Sequence, residues 1–144
     1  MIIRRYGENS LRIIFGTRID LSVHEDVRRA FFLCRSLRRP EILEADLESI
    51  IAVSARFANW FMDNLHPGEI EILALLAAAP ADELSFCSSD GAAISAAAML
   101  GLSERCICME ALLRLKGLGR QVEAKHTVSF MEYHLQQGRE RRIT

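Results

Sequence analysis

Two stretches of this chain, Leu73–Pro80 and Ala92–Leu100, are apolar on nearly every side, and a run of strand length, Leu84–Cys87, lies between them. A helix without a polar face has to be covered by neighbours all round, so these segments require packed layers about them and exclude a chain that stays extended. Pro80 and Gly101 cut both stretches well short of the ~20 residues that span a bilayer, which assigns them to a protein interior. Half of the 144 residues are apolar, enough for one core, and the chain is read as a single domain over residues 1–144.

The flanking segments supply the remaining elements. Apolar residues at Leu47, Ile50, Ile51, Phe57, Ala58 and Phe61 follow the three-four spacing of one buried helix face between Glu44 and Leu65. His66-Pro67-Gly68 interrupts that pattern, and Pro67 suits the first turn of a new helix that runs on through Ala79. Ser88-Ser89-Asp90-Gly91 offers small polar caps for the helix ending at Leu100. Cys106–Cys108 reads as a second short strand, followed by a helix over Glu110–Leu115 that stops at Gly117 and Gly119. Thr127 caps a last helix through Gln137, closed by Gly138 before a tail over Arg139–Thr144. Upstream, Arg18–Leu21 reads as a strand and Ser22 as the cap of a helix from Val23 to about Arg38, stopped by Pro40. Met1–Phe15 suits either a strand or a helical turn.

The order helix, strand, helix, strand, helix in the second half is that of βαβ crossovers, which would set Leu84–Cys87 beside Arg105–Cys108 in a parallel sheet. The expected class is therefore α/β. Ligands of such sheets sit beyond the carboxyl ends of the strands, where this chain places Ser88, Ser89 and Asp90. Gly68-Glu69-x-Glu71 opens the preceding helix at the same edge. Carboxylates gathered there repel one another unless a hard cation with oxygen ligands, Mg²⁺ or Mn²⁺, neutralises them. Glu69 and Glu71 stand about 200° apart around a helix, so Glu69 is the better candidate. Each residue also has a purely structural role open to it: Asp90 as an N-cap, Ser88 and Ser89 as turn residues, Glu69 and Glu71 as first-turn acids. Spacing alone favours the structural role.

Gly68-Glu69-Ile70-Glu71-Ile72-Leu73-Ala74 is similar to the Gly-Glu-x-Glu-Ala helix opening of the PIN-domain family, the metal-dependent ribonuclease fold that supplies many toxins of bacterial toxin–antitoxin pairs. Phe86-Cys87-Ser88-Ser89-Asp90 resembles that family's apolar strand followed by Thr/Ser-x-Asp. Met99-Leu100-Gly101-Leu102, Cys108-Met109-Glu110-Ala111-Leu112-Leu113 and the ending from Gly138 to Arg142-Ile143-Thr144 resemble its later helices in order and spacing. The resemblance covers residues 66–144. It implies a three-layer PIN-like fold, a small and mostly parallel sheet flanked by helices. It also implies an acidic cluster with Asp90 and Glu69 as catalytic and metal-binding residues, Glu71 as a further metal ligand, and Ser88 orienting a ligand or bound water. That cluster would hold Mg²⁺ or Mn²⁺ for cleavage of single-stranded RNA, with an antitoxin-like protein or a second copy of the chain as partner.

The first half departs from the family pattern. No strand ending in Asp-Thr/Ser opens the chain, and where the family carries a Glu on its early helix this chain has Arg29 and Ala30, with Glu25 and Asp26 one turn early. Asp20 is the replacement acid within a strand. The usual first strand is thus missing or replaced, by truncation or divergence, and Met1–Ile3 or a second copy would cover the exposed edge. The alternative function is a non-catalytic PIN-like binding or assembly module with a degenerate active site.

Other features narrow the field. The formal charge of −1 gives no global field that would gather nucleic acid or an anionic membrane. Four scattered cysteines without a signal pattern fit free thiols in a reducing, cytoplasmic setting, and the Cys106-x-Cys108 pair reads as buried thiols before it reads as a metal site. Phe31, Phe32, Phe57, Trp60 and Phe61 at helical spacing read as core, or a groove for a partner helix, before a stacking platform for bases. Arg28, Arg29, Arg35, Arg38 and Arg39, and the tail Arg139, Arg141 and Arg142, read as solvated faces before phosphate contacts. A phosphate site at the helix N-terminus over Ser88–Ala92 ranks last, for want of a Gly-rich loop and its Lys.

Overall fold

The structure, a computed structural model, describes residues 2–6, 10–16, 41–80, 84–115, 117–118 and 120–143. The elements expected at Arg18–Leu21 and from Val23 to Arg38, with Asp20 and the arginines of that helix, lie outside the described residues.

Three strands, β1 (Ile2–Tyr6), β2 (Ser10–Gly16) and β3 (Glu41–Leu43), precede helices α1 (Leu47–Ser54), α2 (Asn59–Met62) and α3 (Pro67–Ala78). Strand β4 (Leu84–Phe86) follows, then α4 (Gly91–Met99), α5 (Met109–Leu115) and α6 (Val128–Ile143). Short 3₁₀ turns at Ser103–Arg105 and Ala124–His126 lead into the last two helices.

This architecture overturns the three-layer, mostly parallel PIN-like sheet. Among the described residues beyond Leu43, β4 is the one strand, three residues long, and the remaining regular structure is helical. The sheet that β4 borders has the order β3-β2-β1-β4, and β1 runs antiparallel to both of its neighbours. Ile2, Ile3 and Arg4 pair with Phe86, Ser85 and Leu84, so this edge of β4, for which Met1–Ile3 or a second copy was the expected cover, is covered by β1. On the other side the expected parallel strand shrinks to a single bridge between Phe86 and Cys106, where the Ile107 N–H donates to the Phe86 carbonyl at 2.8 Å. The cause is local. The 3₁₀ turn ends at Arg105 and α5 begins at Met109, which leaves Cys106–Cys108 too short for a ladder.

The expected helix between Glu44 and Leu65 is divided into α1 and α2. Val53, Phe57, Phe61 and Leu65 are all buried and stand four residues apart. Steps of four on an unbroken helix drift about 40° each, so a straight rod would carry the last of them out of the core. The turn at Ala55–Phe57, closed by Arg56 and Phe57 amides donating to the Val53 and Ser54 carbonyls, removes that drift. The last helix departs from expectation in the other direction, because α6 passes through Gly138 and continues to Ile143.

The interior is formed by the two apolar stretches identified from sequence. Leu73 and Leu76 of α3, Phe86 of β4, and Ala93, Ala96 and Ala97 of α4 are essentially sealed from solvent. Arg105 fastens the far end of this layer: its guanidinium donates to the carbonyls of Leu76, Ala79 and Pro80 at the end of α3, and to Leu84 at the start of β4. The acceptors at the end of α3 are of the kind that a helix C-terminus leaves without intrahelical donors.

Helices α4 and α6 run side by side in the same direction. A methyl at Gly91 would meet the His134 ring, one at Gly138 would lie 2.2 Å from the Ser95 carbonyl oxygen, and one at Gly101 would meet the Arg142 guanidinium. The Ser95 hydroxyl donates to the His134 carbonyl across the same seam at 3.0 Å. Small residues let two helix backbones approach this closely. No helix among the described residues is long and apolar enough to cross a membrane.

Candidate functional site

The helix openings at α3 and α4 carry the acids singled out from sequence. His66 is the N-cap of α3, its Nδ1 accepting the Gly68 N–H at 3.2 Å. Glu69 closes a capping box by accepting the His66 N–H on Oε2 at 2.9 Å. Sequence reasoning missed His66 as the cap, although Pro67 just inside the helix marked the spot. Asp90 caps α4: its Oδ1 accepts from the Ala92 N–H at 2.8 Å and from the Ala93 N–H at 3.1 Å. Ser88 supports it from behind, its Oγ accepting the Asp90 N–H at 3.0 Å.

Glu69 and Asp90 lie near enough for the charge of one to act on the other. The Glu69 carboxyl is held above the ordinary glutamate range, first by its partial burial and then by the Asp90 charge, against the pull of the His66 N–H. Two carboxylates at the starts of separate helices, α3 and α4, thus feel one another's charge. Glu71, two positions on, is buried at 3 % exposure. Among the described residues no group of three or more Asp, Glu, His or Cys is arranged to hold a metal ion.

Three thiols gather where β4 meets Cys106. Cys87 and Cys108 are buried, Cys106 is half-buried, and all three are free. Burial pushes the Cys87 thiol up to about 11, with Cys108 adding to the effect. Burial likewise raises Cys106 to about 12, reinforced by Cys87. Burial of this kind disfavours the thiolate form of Cys87 and Cys106.

A second surface lies on the other side of Gly91. A groove of about 290 Å³ is lined by α2 (Trp60, Phe61), Asn64, the first turns of α4 and one side of α6 (Tyr133, His134, Gln137, Arg141). Phe57 and Phe61 are core, as the helical spacing implied, but Trp60 and Tyr133 are 63 % and 61 % exposed. Trp60 meets Phe61 edge-on at 5.7 Å, and the Arg141 guanidinium lies 6.0 Å from the Trp60 ring centroid. His134 is wedged between Phe130, at 4.5 Å between ring centroids, and Tyr133, at 5.1 Å.

No family model, curated protein or solved structure matches this chain. The likeness to PIN domains thus rests on the motifs alone, and the sheet they implied is not the one the chain forms.

Proposed function

We propose that this chain is a non-catalytic binding or assembly module. One observation carries the reading: the two acids that would do chemistry are each committed to a helix cap, Glu69 to the His66 N–H and Asp90 to the Ala92 and Ala93 N–H groups. Capping of this kind stabilises a helix by about 1 kcal/mol, reason enough for both residues without a metal. Two-metal chemistry clamps the attacking and the leaving oxygen with ions about 4 Å apart, and among the described residues no group of three or more acids, histidines or cysteines is arranged to hold a metal ion.

A second reading, a weakened nuclease dependent on Mg²⁺ or Mn²⁺, is favoured by one observation, the influence of the Asp90 charge on Glu69. Incubation of wild type and Asp90→Asn with Mn²⁺ and end-labelled single-stranded RNA separates the two. Asn caps a helix as well as Asp, so the variant keeps its fold. The module reading expects intact substrate with both proteins. Cleavage by wild type that disappears in Asp90→Asn would overturn it in favour of the nuclease.

A further inference from the structure

Helix α1 is apolar on two sides. Val53 lies in the core with Ile50 packed against it, whereas Leu47 and Ile51 are 72 % and 59 % exposed. Leu47, Ile51 and Ala55 stand four residues apart along one outward ridge with Ala52 beside it, and all four are exposed. A helix that is apolar on both sides is ordinarily covered on both. Among the described residues only the inner side of α1 is covered, so the spacing that marks Leu47 and Ile51 for burial has no cover there to meet it.

Charge gives the ridge two unlike ends. Glu48 stands in the first turn and Arg56 directly follows the C-cap Ala55, both of them exposed. Neither side chain makes a hydrogen bond or an ion pair among the described residues. Eight residues of helix separate them by about 12 Å, too far for them to pair with one another. A hollow of about 440 Å³ at the start of α1, lined by Glu44, Ala45, Asp46, Leu47 and Ile50, adds two carboxylates to the acidic end. Asp46 is engaged with the Ser49 N–H and hydroxyl, at 2.8 and 2.7 Å, which leaves Glu44 and Glu48 to meet a cation.

An acidic start and a basic end joined by an apolar ridge fit the same ridge turned end for end. We propose that α1 is the surface through which two copies of this chain associate, α1 packing antiparallel on α1 about a two-fold axis at Ile51. In that arrangement Leu47 falls opposite Ala55 of the second copy, large against small, and Glu44 and Glu48 face its Arg56. A parallel pair would set Glu48 against Glu48. A basic peptide would answer the acids and leave Arg56 opposed, whereas a second copy answers both ends at once. Self-complementary contacts of this kind make the commonest oligomers. The contact is confined to about 12 Å of helix in each copy, which puts the dimer in the small, transient class. The inference rests on the module reading in that it names the assembly, and it needs neither a metal nor the Glu69–Asp90 pair.

Sedimentation equilibrium of the full chain, from micromolar to millimolar concentration in EDTA at low salt, reads the association directly. Wild type is compared with Ile51→Glu, with the charge reversals Glu48→Arg and Arg56→Glu, and with the double reversal. All of these side chains are exposed, so unchanged circular dichroism is expected to certify the folds. The expected result is a reversible monomer–dimer equilibrium in wild type and a monomer in Ile51→Glu, which sets two carboxylates against one another at the axis. Each single reversal is expected to weaken the dimer about tenfold by opposing like charges. The double reversal restores the pairing and should return the affinity to within about threefold of wild type.

A wild type that stays monomeric throughout, a dimer that Ile51→Glu leaves intact, or a double reversal no better than the single ones would each overturn the proposal. So would saturable binding of a labelled amphipathic leucine–arginine peptide by a chain that does not pair with itself, which would make α1 a site for another protein. Because association is read without RNA or a divalent ion, its failure is distinguishable from failure of the module reading, which only the Mn²⁺ cleavage assay can produce.

Discussion

Asp90 and Gly91 are consecutive residues that border two unlike surfaces. On the Asp90 side, the polar groups of Ser88, Asp90, His66 and Glu69 are engaged with backbone N–H groups within three residues of themselves. On the Gly91 side, Trp60 and Tyr133 hold large rings in water that no local backbone need explains. Motif likeness drew attention to the first surface, and geometry draws it to the second. The difference teaches that an acid at a helix start is often consumed by the helix, whereas an exposed ring beside a groove remains available to a partner.

The largest expected effect tests whether both surfaces depend on one scaffold. Arg105→Ala strips four backbone carbonyls of their donor, three at the end of α3 and one on β4. Charge-assisted bonds contribute about 1.5–3 kcal/mol each, so a loss of roughly 3 kcal/mol or more in urea unfolding is expected. Such a loss would dull the acid edge and the groove together. Gly138→Ala comes next and acts on the groove side alone. Alanine would ordinarily stabilise a helix interior by about 1 kcal/mol over glycine, but here its Cβ would lie 2.2 Å from the Ser95 carbonyl oxygen. A net loss of about 2 kcal/mol is expected from the forced separation of α4 and α6.

Much of the helical content was legible because it was written in local terms. The starts of α3 and α4 follow from Pro67 and from Asp90 ahead of an alanine run, and Thr127 does accept the Phe130 N–H at the opening of α6. The sheet was not legible. Leu84–Phe86 looks alike whether its neighbour is parallel or antiparallel, and its pairing with Ile2–Arg4, some eighty residues away, is a tertiary choice that no local period encodes. Gly138 misled for a related reason. It reads as a stop because glycine ends many helices, but here it is the point of closest approach to Ser95, and the helix passes through it. The candidate acids stand at the starts of α3 and α4. Their employment as caps, anticipated as an ordinary role for Asp90, depended on a histidine cap that composition does not announce. Trp60 could have been separated from Phe57 and Phe61 only by knowing that the helix breaks at Ala55–Phe57 and that α2 sets off in a new direction.

Smaller effects sharpen the acid edge itself. Asp90→Ala should cost about 1 kcal/mol through loss of the α4 cap, while Asp90→Asn should stay within a few tenths. Equal and larger losses for both would mean that the negative charge, not the hydrogen bonding, is what the site uses. The smallest effect concerns Glu69. Its folded-state pKa is raised by burial and by Asp90. Its favourable contribution is therefore fully present below the unfolded carboxyl value and is lost as pH rises through the folded one. Glu69→Gln, which can still accept the His66 N–H, is expected to gain slightly on wild type near pH 7 and to lose that advantage near pH 4, read as the difference in urea midpoints. An advantage at pH 4 instead would show that the Glu69 charge is stabilised where it sits.

The shared direction of α4 and α6 has a mechanical consequence. Contacts at Gly91 with His134, Ser95 with Gly138 and Gly101 with Arg142 act as three detents along one track. Sliding α6 by a single residue would bring a side chain against the Ser95 carbonyl in place of Gly138. The helix can leave this track only by lifting off it. Tyr133 and Arg141 ride on that same rod, and Gly91, Ser95 and His134, which line the groove, belong to the seam as well, so the packing of α4 on α6 sets how Tyr133 and Arg141 stand beside Trp60.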